Sequence, residues 1–255
     1  MSNASPAPIA LFAYDRPDHL VRVSEALARN PEASESPLFV FLDATKSDAA
    51  AMRVTAVRAL ARRIGGCKSK QMIEQSTNRG IAASIIQGVN RLIAEFGRVI
   101  VLEDDLLPSP HFLRYMNDAL KAYANDDRVI SVHAYSYPVA GKLPETFFLR
   151  GADCWGWATW KRGWDLFEPD GRKLLSALER QHLTHGFDFE SCYPYTQMLR
   201  DCIEGKNDSW AVRWYASAFL LGKLTLYPAS ALVQNIGADG SGTHMGTTKF
   251  FENAE

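Results

Sequence analysis

Arg98-Val-Ile-Val-Leu-Glu-Asp-Asp-Leu-Leu-Pro-Ser-Pro110 carries four apolar residues straight into three consecutive carboxylates. Val99 to Leu102 reads as a strand buried on both faces, because a strand with one wet face would alternate apolar and polar residues. In an open α/β sheet the carboxyl ends of such strands open onto the ligand crevice. Glu103, Asp104 and Asp105 therefore stand where a ligand would. Adjacent acids repel, and removing them from water is costly unless a cation or hydrogen-bond donors compensate. A hard divalent ion, Mn²⁺ or Mg²⁺, suits oxygen ligands and commonly bridges substrate phosphates too. A solvated strand end, or acids that help start the helix near Pro110, fit the same spacing, which leaves these readings open.

Upstream, the apolar run Pro8 to Tyr14 ends in Asp15-Arg16-Pro17, and Leu20, Val23 and Leu27 follow at helical spacing. Pro37 to Leu42 repeats the strand pattern and ends in Asp43. Met52, Ala56, Ala59 and Leu60 then mark a helix closed by Gly65-Gly66. Asn78-Arg79-Gly80 opens a helix whose Ile81, Ile85, Val89, Leu92 and Phe96 share one apolar face. Strands alternating with helices over the first 105 residues imply a mainly parallel, nucleotide-binding type of sheet. Three strand ends carry Arg16, Asp43 and Glu103 to Asp105, and that convergence is more informative than any one of them.

Downstream, His111 to Ala124 reads as a helix, Val129 to His133 and Thr146 to Leu149 as strands. Residues 155–164 hold four of the six tryptophans, and such rings either fill a core or stack on sugars. Asn207-Asp208-Ser209-Trp210 leads into a helix stopped at Gly222, a short strand spans Leu224 to Tyr227, and a glycine-rich segment with His244 follows.

With 255 residues the chain fits one α/β domain or a domain with an elaborated C-terminal half. A net charge of −1 gives no basic footprint, so nucleic acid is not the expected partner. Cys67, Cys154, Cys192 and Cys202 lack C-x-x-C spacing, which argues against zinc and for a reducing, cytoplasmic setting. No apolar run reaches the ~18 residues of a membrane span, although peripheral contact with a membrane-borne acceptor stays open.

Ala13-Tyr-Asp-Arg16, Leu42-Asp43, Asn78-Arg-Gly80, Val101-Leu-Glu-Asp-Asp-Leu106 and Trp155-Gly-Trp157 follow one another as in nucleotide-sugar glycosyltransferases of the GT-A fold. The chain resembles the N-acetylglucosaminyltransferase I type and bacterial family 2-like sugar transferases over residues 8–246. The resemblance implies a single GT-A domain over residues 1–255, with a Rossmann-like mixed, mainly parallel central sheet flanked by helices. Residues 8–107 would form the donor half and 108–246 the acceptor and catalytic half.

Glu103-Asp104-Asp105 is similar to that family's version of the D-x-D motif, which implies that Asp105 holds Mn²⁺ on the donor diphosphate while Asp104 and Glu103 reach ribose, donor sugar or neighbouring groups. Asp43 would accept from a uracil N–H, and Arg16 would lie near the phosphates. Asn78, Arg79 and Gly80 would present a helix start to the donor, a role compatible with simple capping. Trp155, Gly156 and Trp157 would wall donor sugar and acceptor, and His244 would meet diphosphate or metal from a closing loop.

The implied reaction is metal-dependent, inverting transfer from a nucleotide sugar, UDP-linked, to a glycan, lipid-linked or other hydroxyl acceptor. For the base, the family's Asp-Asp-Trp-like segment is matched by Asn207-Asp208-Ser209-Trp210. Ser stands before Trp210, so Asp208 is the candidate, with Asp153 and Asp165 in reserve; an N-cap role for Asp208 is the competing reading. The competing functions are a sugar-nucleotide nucleotidyltransferase, whose Gly-rich basic loop is missing after the first strand, and a non-catalytic nucleotide- or carbohydrate-binding module.

Overall fold

A computed structural model describes residues 5–139 and 141–240. The chain runs β1 (Ile9–Ala13), α1 (Pro17–Ala28), β2 (Pro37–Leu42), α2 (Asp48–Arg63), β3 (Ser69–Glu74), α3 (Ile81–Phe96), β4 (Arg98–Glu103), β5 (Leu106–Pro108), α4 (Phe112–Ala122), β6 (Val129–His133), β7 (Thr146–Arg150) and β8 (Trp157–Trp160). It continues through α5 (Lys161–Trp164), α6 (Gly171–Arg180), α7 (Thr184–Phe187), α8 (Tyr195–Ile203), α9 (Trp210–Leu220), β9 (Leu224–Pro228) and β10 (Val233–Asn235).

Eight strands form one mixed sheet in the order β3-β2-β1-β4-β8-β6-β9-β7. The first four run parallel, β8 enters antiparallel to both β4 and β6, β9 is parallel to β6, and β7 closes the edge antiparallel. A two-stranded ribbon of β5 and β10 stands beside it. Among the described residues no helix is long and apolar enough to cross a membrane.

The continuous apolar runs of β1, β2 and β4 exist because both sheet faces are covered. Ile9, Leu11, Leu38, Val40, Ile100 and Leu102 pack into one core layer with α1, α2 and α4. The intervening Ala10, Phe12, Phe39, Phe41, Val99 and Val101 pack into the other, against α3 and α9. Alternating side chains thus feed two cores.

Helix boundaries follow local chemistry. Gly97, at φ 71°, ends α3 and returns its N–H to the Ile93 carbonyl at 2.9 Å. Ser209 caps α9 by accepting from the Val212 N–H at 3.2 Å, so the N-cap role weighed for Asp208 belongs to its neighbour. At the start of α3 the capping residue is Gly80, not Asn78, whose side-chain amide donates to the Ala44 carbonyl at 2.7 Å. The acidic triplet does not start a helix either: it turns between β4 and β5, and α4 begins only at Phe112.

Candidate active site at the carboxyl edge of the sheet

β1, β2 and β4 are parallel neighbours in register, so their ends bring Arg16, Asp43 and Glu103 to Asp105 to one edge. Arg16 precedes α1 and its Nη1 donates to Asp105 Oδ2 at 2.8 Å. Burial opposes the guanidinium charge, but Asp105, Asp104 and Asp239 outweigh it and hold Arg16 above its ordinary pKa. Asp104 accepts from the Tyr14 N–H at 3.2 Å. Burial, reinforced by Asp105, nonetheless raises Asp104 to about 7. Burial followed by Asp105 and Asp104 pushes Glu103 well above the carboxylate range, with Arg16 opposing. Arg16 is the cation that opposes the rise at both Glu103 and Asp104.

Asp43 anchors the loop that leads into α3. Its carboxylate accepts from the N–H groups of Ala44 at 2.8 Å, Arg79 at 3.0 and 3.1 Å, and Gly80 at 2.9 Å. Four contacts occupy much of its acceptor capacity. A base imide would have to share an oxygen with the loop. The Arg79 side chain extends along the surface to Gln75 Oε1 at 3.0 Å. Behind this loop a cavity of about 230 Å³ lies between the ends of β2 and β3 and the α3 face, lined by Phe41, Asp43, Gln75, Ser84 and Arg91. A larger hollow of about 420 Å³, around Lys68, Arg98 and Lys121, lies at the opposite end of the parallel strands.

Trp155, Gly156 and Trp157 serve three different surroundings. Val101 lies opposite Trp157, so the residues entering β8 pass beside the acidic turn. Trp155 is partly exposed there and packs edge-on against Tyr135 at 4.8 Å. Gly156 adopts φ 64°, and a Cβ on it would stand 2.8 Å from Val233. Trp157 is fully buried against Trp164, Trp210 and Trp214, with ring centroids 5.7, 5.3 and 6.0 Å away. Its ring has no free face for a sugar, which corrects its expected place in the donor wall.

Asp208 is 64% exposed, 3.5 Å from Arg213 Nη2. Its Oδ2 lies 3.7 Å from where a Cβ on Gly80 would sit, which places it beside the Asp43-held loop. Of the reserve carboxylates, Asp165 is tied to Lys161 at 2.6 Å in a surface pair. Asp153 is the better placed. It enters β8 beside the triplet, and the half-buried Cys154 thiol next to it is pushed well up by burial, then by Asp153, Glu103 and Asp105. His244 lies outside the described residues.

Sequence reasoning missed the segment that covers this edge. After β10, Ile236 donates its N–H to the Asp105 carbonyl at 2.8 Å. Gly237 passes so close that a Cβ would stand 2.5 Å from Asp105 Oδ2 and 3.0 Å from Arg16 Nη1. Asp239 then meets His19 Nε2 at 3.1 Å. No signal in the sequence pointed to this contact, which joins residues 220 apart.

Among the described residues no three His, Cys, Asp or Glu side chains converge to hold an ion unaided. An ion shared with a ligand's phosphates fits better: Arg16 takes only Oδ2 of Asp105, and such sites commonly use one or two carboxylates plus substrate oxygens. The shortage of positive charge around Glu103 and Asp104 agrees with that.

No protein-family model and no curated protein matches the chain. Among solved structures it is similar to a mannosyltransferase, PcManGT from Pyrobaculum calidifontis in complex with GDP-Man and Mn²⁺, at 17% identity and TM-score 0.38 over 52% of this chain and 36% of that one. It is also similar to S. aureus TarS 1-349, at 11% identity and TM-score 0.46 over 89% and 59% of the two chains. The complex of TarS 1-349 with UDP-GlcNAc gives 10% identity and TM-score 0.46 over 89% and 57%. The chain spans less than two thirds of each of these structures. TM-scores below 0.5 do not carry function across, so the chemistry at the sheet edge bears that weight.

Proposed function

We propose that the protein is a glycosyltransferase of the GT-A kind that moves a sugar from a UDP-linked donor to an acceptor hydroxyl, with inversion and with Mn²⁺ or Mg²⁺. The observation that carries this is the single sheet edge at which Arg16, the Asp43-anchored start of α3 and the under-compensated Glu103-Asp104-Asp105 turn meet. Such an edge is built for a ligand that brings a diphosphate and a cation together.

In this reading Asp105, with Asp104 beside it, would hold the divalent ion, since Arg16 takes only Oδ2 of Asp105. The ion supplies the charge that stabilises the departing nucleoside diphosphate. Arg16 contributes a guanidinium to the same oxygens once released from Asp105. Asp43 fixes the loop of Asn78, Arg79 and Gly80 against the nucleoside, and Trp155 offers the aromatic wall. Asp208 takes the proton of the acceptor hydroxyl as it attacks the anomeric carbon.

Incubation with UDP-, GDP-, CDP- and dTDP-sugars plus Mn²⁺, read by release of the nucleoside diphosphate, tests this directly. UDP is expected, and its release should be lost with Asp105→Ala. Nucleotide binding without release from any donor would instead favour a binding module, since Ser209 caps α9 where the family carries a second acid.

A further inference from the structure

We infer that an acceptor surface for a chain of neutral sugars runs from the aromatic side chains of Phe189, Tyr193, Tyr195 and Tyr137 to the carboxylate of Asp153. This deepens the glycosyltransferase reading and rests on it for the word acceptor; the surface itself stands on separate observations.

Phe189, Tyr195 and Tyr193 form a connected strip of rings. Tyr193 and Tyr195 lie 4.5 Å apart between centroids, and Phe189 lies 6.0 Å from Tyr195. Asp153 raises the phenol of Tyr195, after burial, and does the same to Tyr137 and Tyr227, so these side chains share its field. Tyr137 donates to Asp153 Oδ2 at 3.1 Å and Tyr227 reaches the same oxygen at 3.5 Å. Tyr137, Phe189 and Tyr193 remain 38%, 41% and 49% exposed, an uncommon arrangement for three large rings in one place.

The backbone is bent to produce that exposure. Phe189, Glu190 and Ser191 are consecutive non-glycine residues in the left-handed region, at φ 49°, 55° and 69°. Each such residue costs ~1 to 2 kcal/mol, and a surface loop has no reason of its own to hold three. The turn is pinned through Asp188, whose side chain accepts from the Thr196 N–H at 2.6 Å and whose carbonyl accepts from the Tyr193 N–H at 3.1 Å. Strain of this kind concentrates where a segment presents groups to a ligand.

Asp153 fixes the chemistry of that ligand. Among the described residues no Lys or Arg pairs with it. His133 lies 3.7 Å away, but its Nε2 accepts the Trp155 N–H at 3.0 Å and burial lowers its pKa, so the ring is neutral. Oδ2 takes the two phenols, while Oδ1 accepts the Cys154 N–H and has room for another donor. Sugar hydroxyls donate to such a group while the C–H faces of the rings stack on aromatic side chains. Uronic or phosphorylated glycans would be repelled by it.

An array of neutral hexasaccharides (cello-, malto-, manno- and chito-oligomers), their disaccharides and oligogalacturonate, probed without nucleotide, tests the inference. Wild type should bind at least one neutral hexamer more tightly than its dimer and leave the uronate unbound. Phe189→Ala, Tyr193→Ala and Asp153→Asn should each weaken that binding about tenfold, and in the two aromatic variants the melting temperature and the response to UDP with Mn²⁺ stay as in wild type. Absence of neutral-glycan binding, preference for the uronate, or binding untouched by all three variants overturns the surface. A wild type that binds the neutral hexamer but shows no response to any nucleotide would instead sink the donor reading and leave the sugar surface standing.

Discussion

At the scale of single residues, Asp43 and Asp104 show how one side-chain type does two jobs at one edge. Asp43 spends its carboxylate on three backbone N–H groups and thereby holds the start of α3 in place. Replacing it with Ala leaves the part-exposed N–H groups of Arg79 and Gly80 to water, which costs about the 0.5–1.5 kcal/mol of a typical hydrogen bond. Urea denaturation should show Asp43→Ala destabilised on that order; an unchanged midpoint would mean that the loop stands without it. Asp104 is under-compensated instead, held at about 7 by burial and Asp105. Its folded pKa is raised, so the folded protein keeps a proton that the unfolded chain releases near pH 4. Stability therefore falls as pH rises from about 4 to about 7 and levels off above that. The melting temperature of the metal-free protein should drop between pH 5 and 8, Asp104→Asn should flatten that slope, and Mn²⁺ with UDP should recover most at the alkaline end. A slope identical in the variant would contradict the assignment.

At the scale of elements, legibility tracked burial. β1, β2 and β4 were readable because both faces are buried, and their side chains divide between two core layers. Ser69–Glu74 escaped notice because β3 is the sheet's outer strand and its residues are exposed or half-buried, so neither an apolar run nor an alternation survives in Ser-Lys-Gln-Met-Ile-Glu. β8 was hidden inside the tryptophan cluster, where aromatic density says core or site but not strand. On the site side, the meeting of Arg16 and Asp105 at one edge was legible because both follow the ends of parallel strands. Gly237 and Asp239 were not, since their contact with Asp105, Arg16 and His19 depends on β10 pairing with β5 across more than a hundred residues. That segment should be intolerant of bulk: Gly237→Ala forces a Cβ against Asp105 and Arg16, and titration calorimetry should show UDP binding in the presence of Mn²⁺ weakened at least tenfold. Full affinity would show that the segment moves aside freely. Gly88 offers a structural contrast, where a Cβ would stand 2.6 Å from the Phe12 ring and 3.1 Å from Phe41. Gly88→Ala should cost about 1–3 kcal/mol through overpacking.

At the scale of the whole molecule, the parallel half of the sheet places cationic, anionic and hydrogen-bonding groups at the ends of adjacent strands. The antiparallel entry of β8 brings Asp153 and Trp155 alongside. The α7–α8 turn then extends an aromatic strip outward. In the proposed function, the strand ends would take the donor and the aromatic strip the acceptor. The most direct measurement is thermal stabilisation by UDP, GDP, CDP and dTDP, each with and without Mn²⁺, in wild type and Asp105→Ala. A shift selective for UDP, dependent on Mn²⁺ and abolished in the variant is the expected result. Equal shifts with and without Mn²⁺, or a response preserved in Asp105→Ala, would contradict the donor site drawn here.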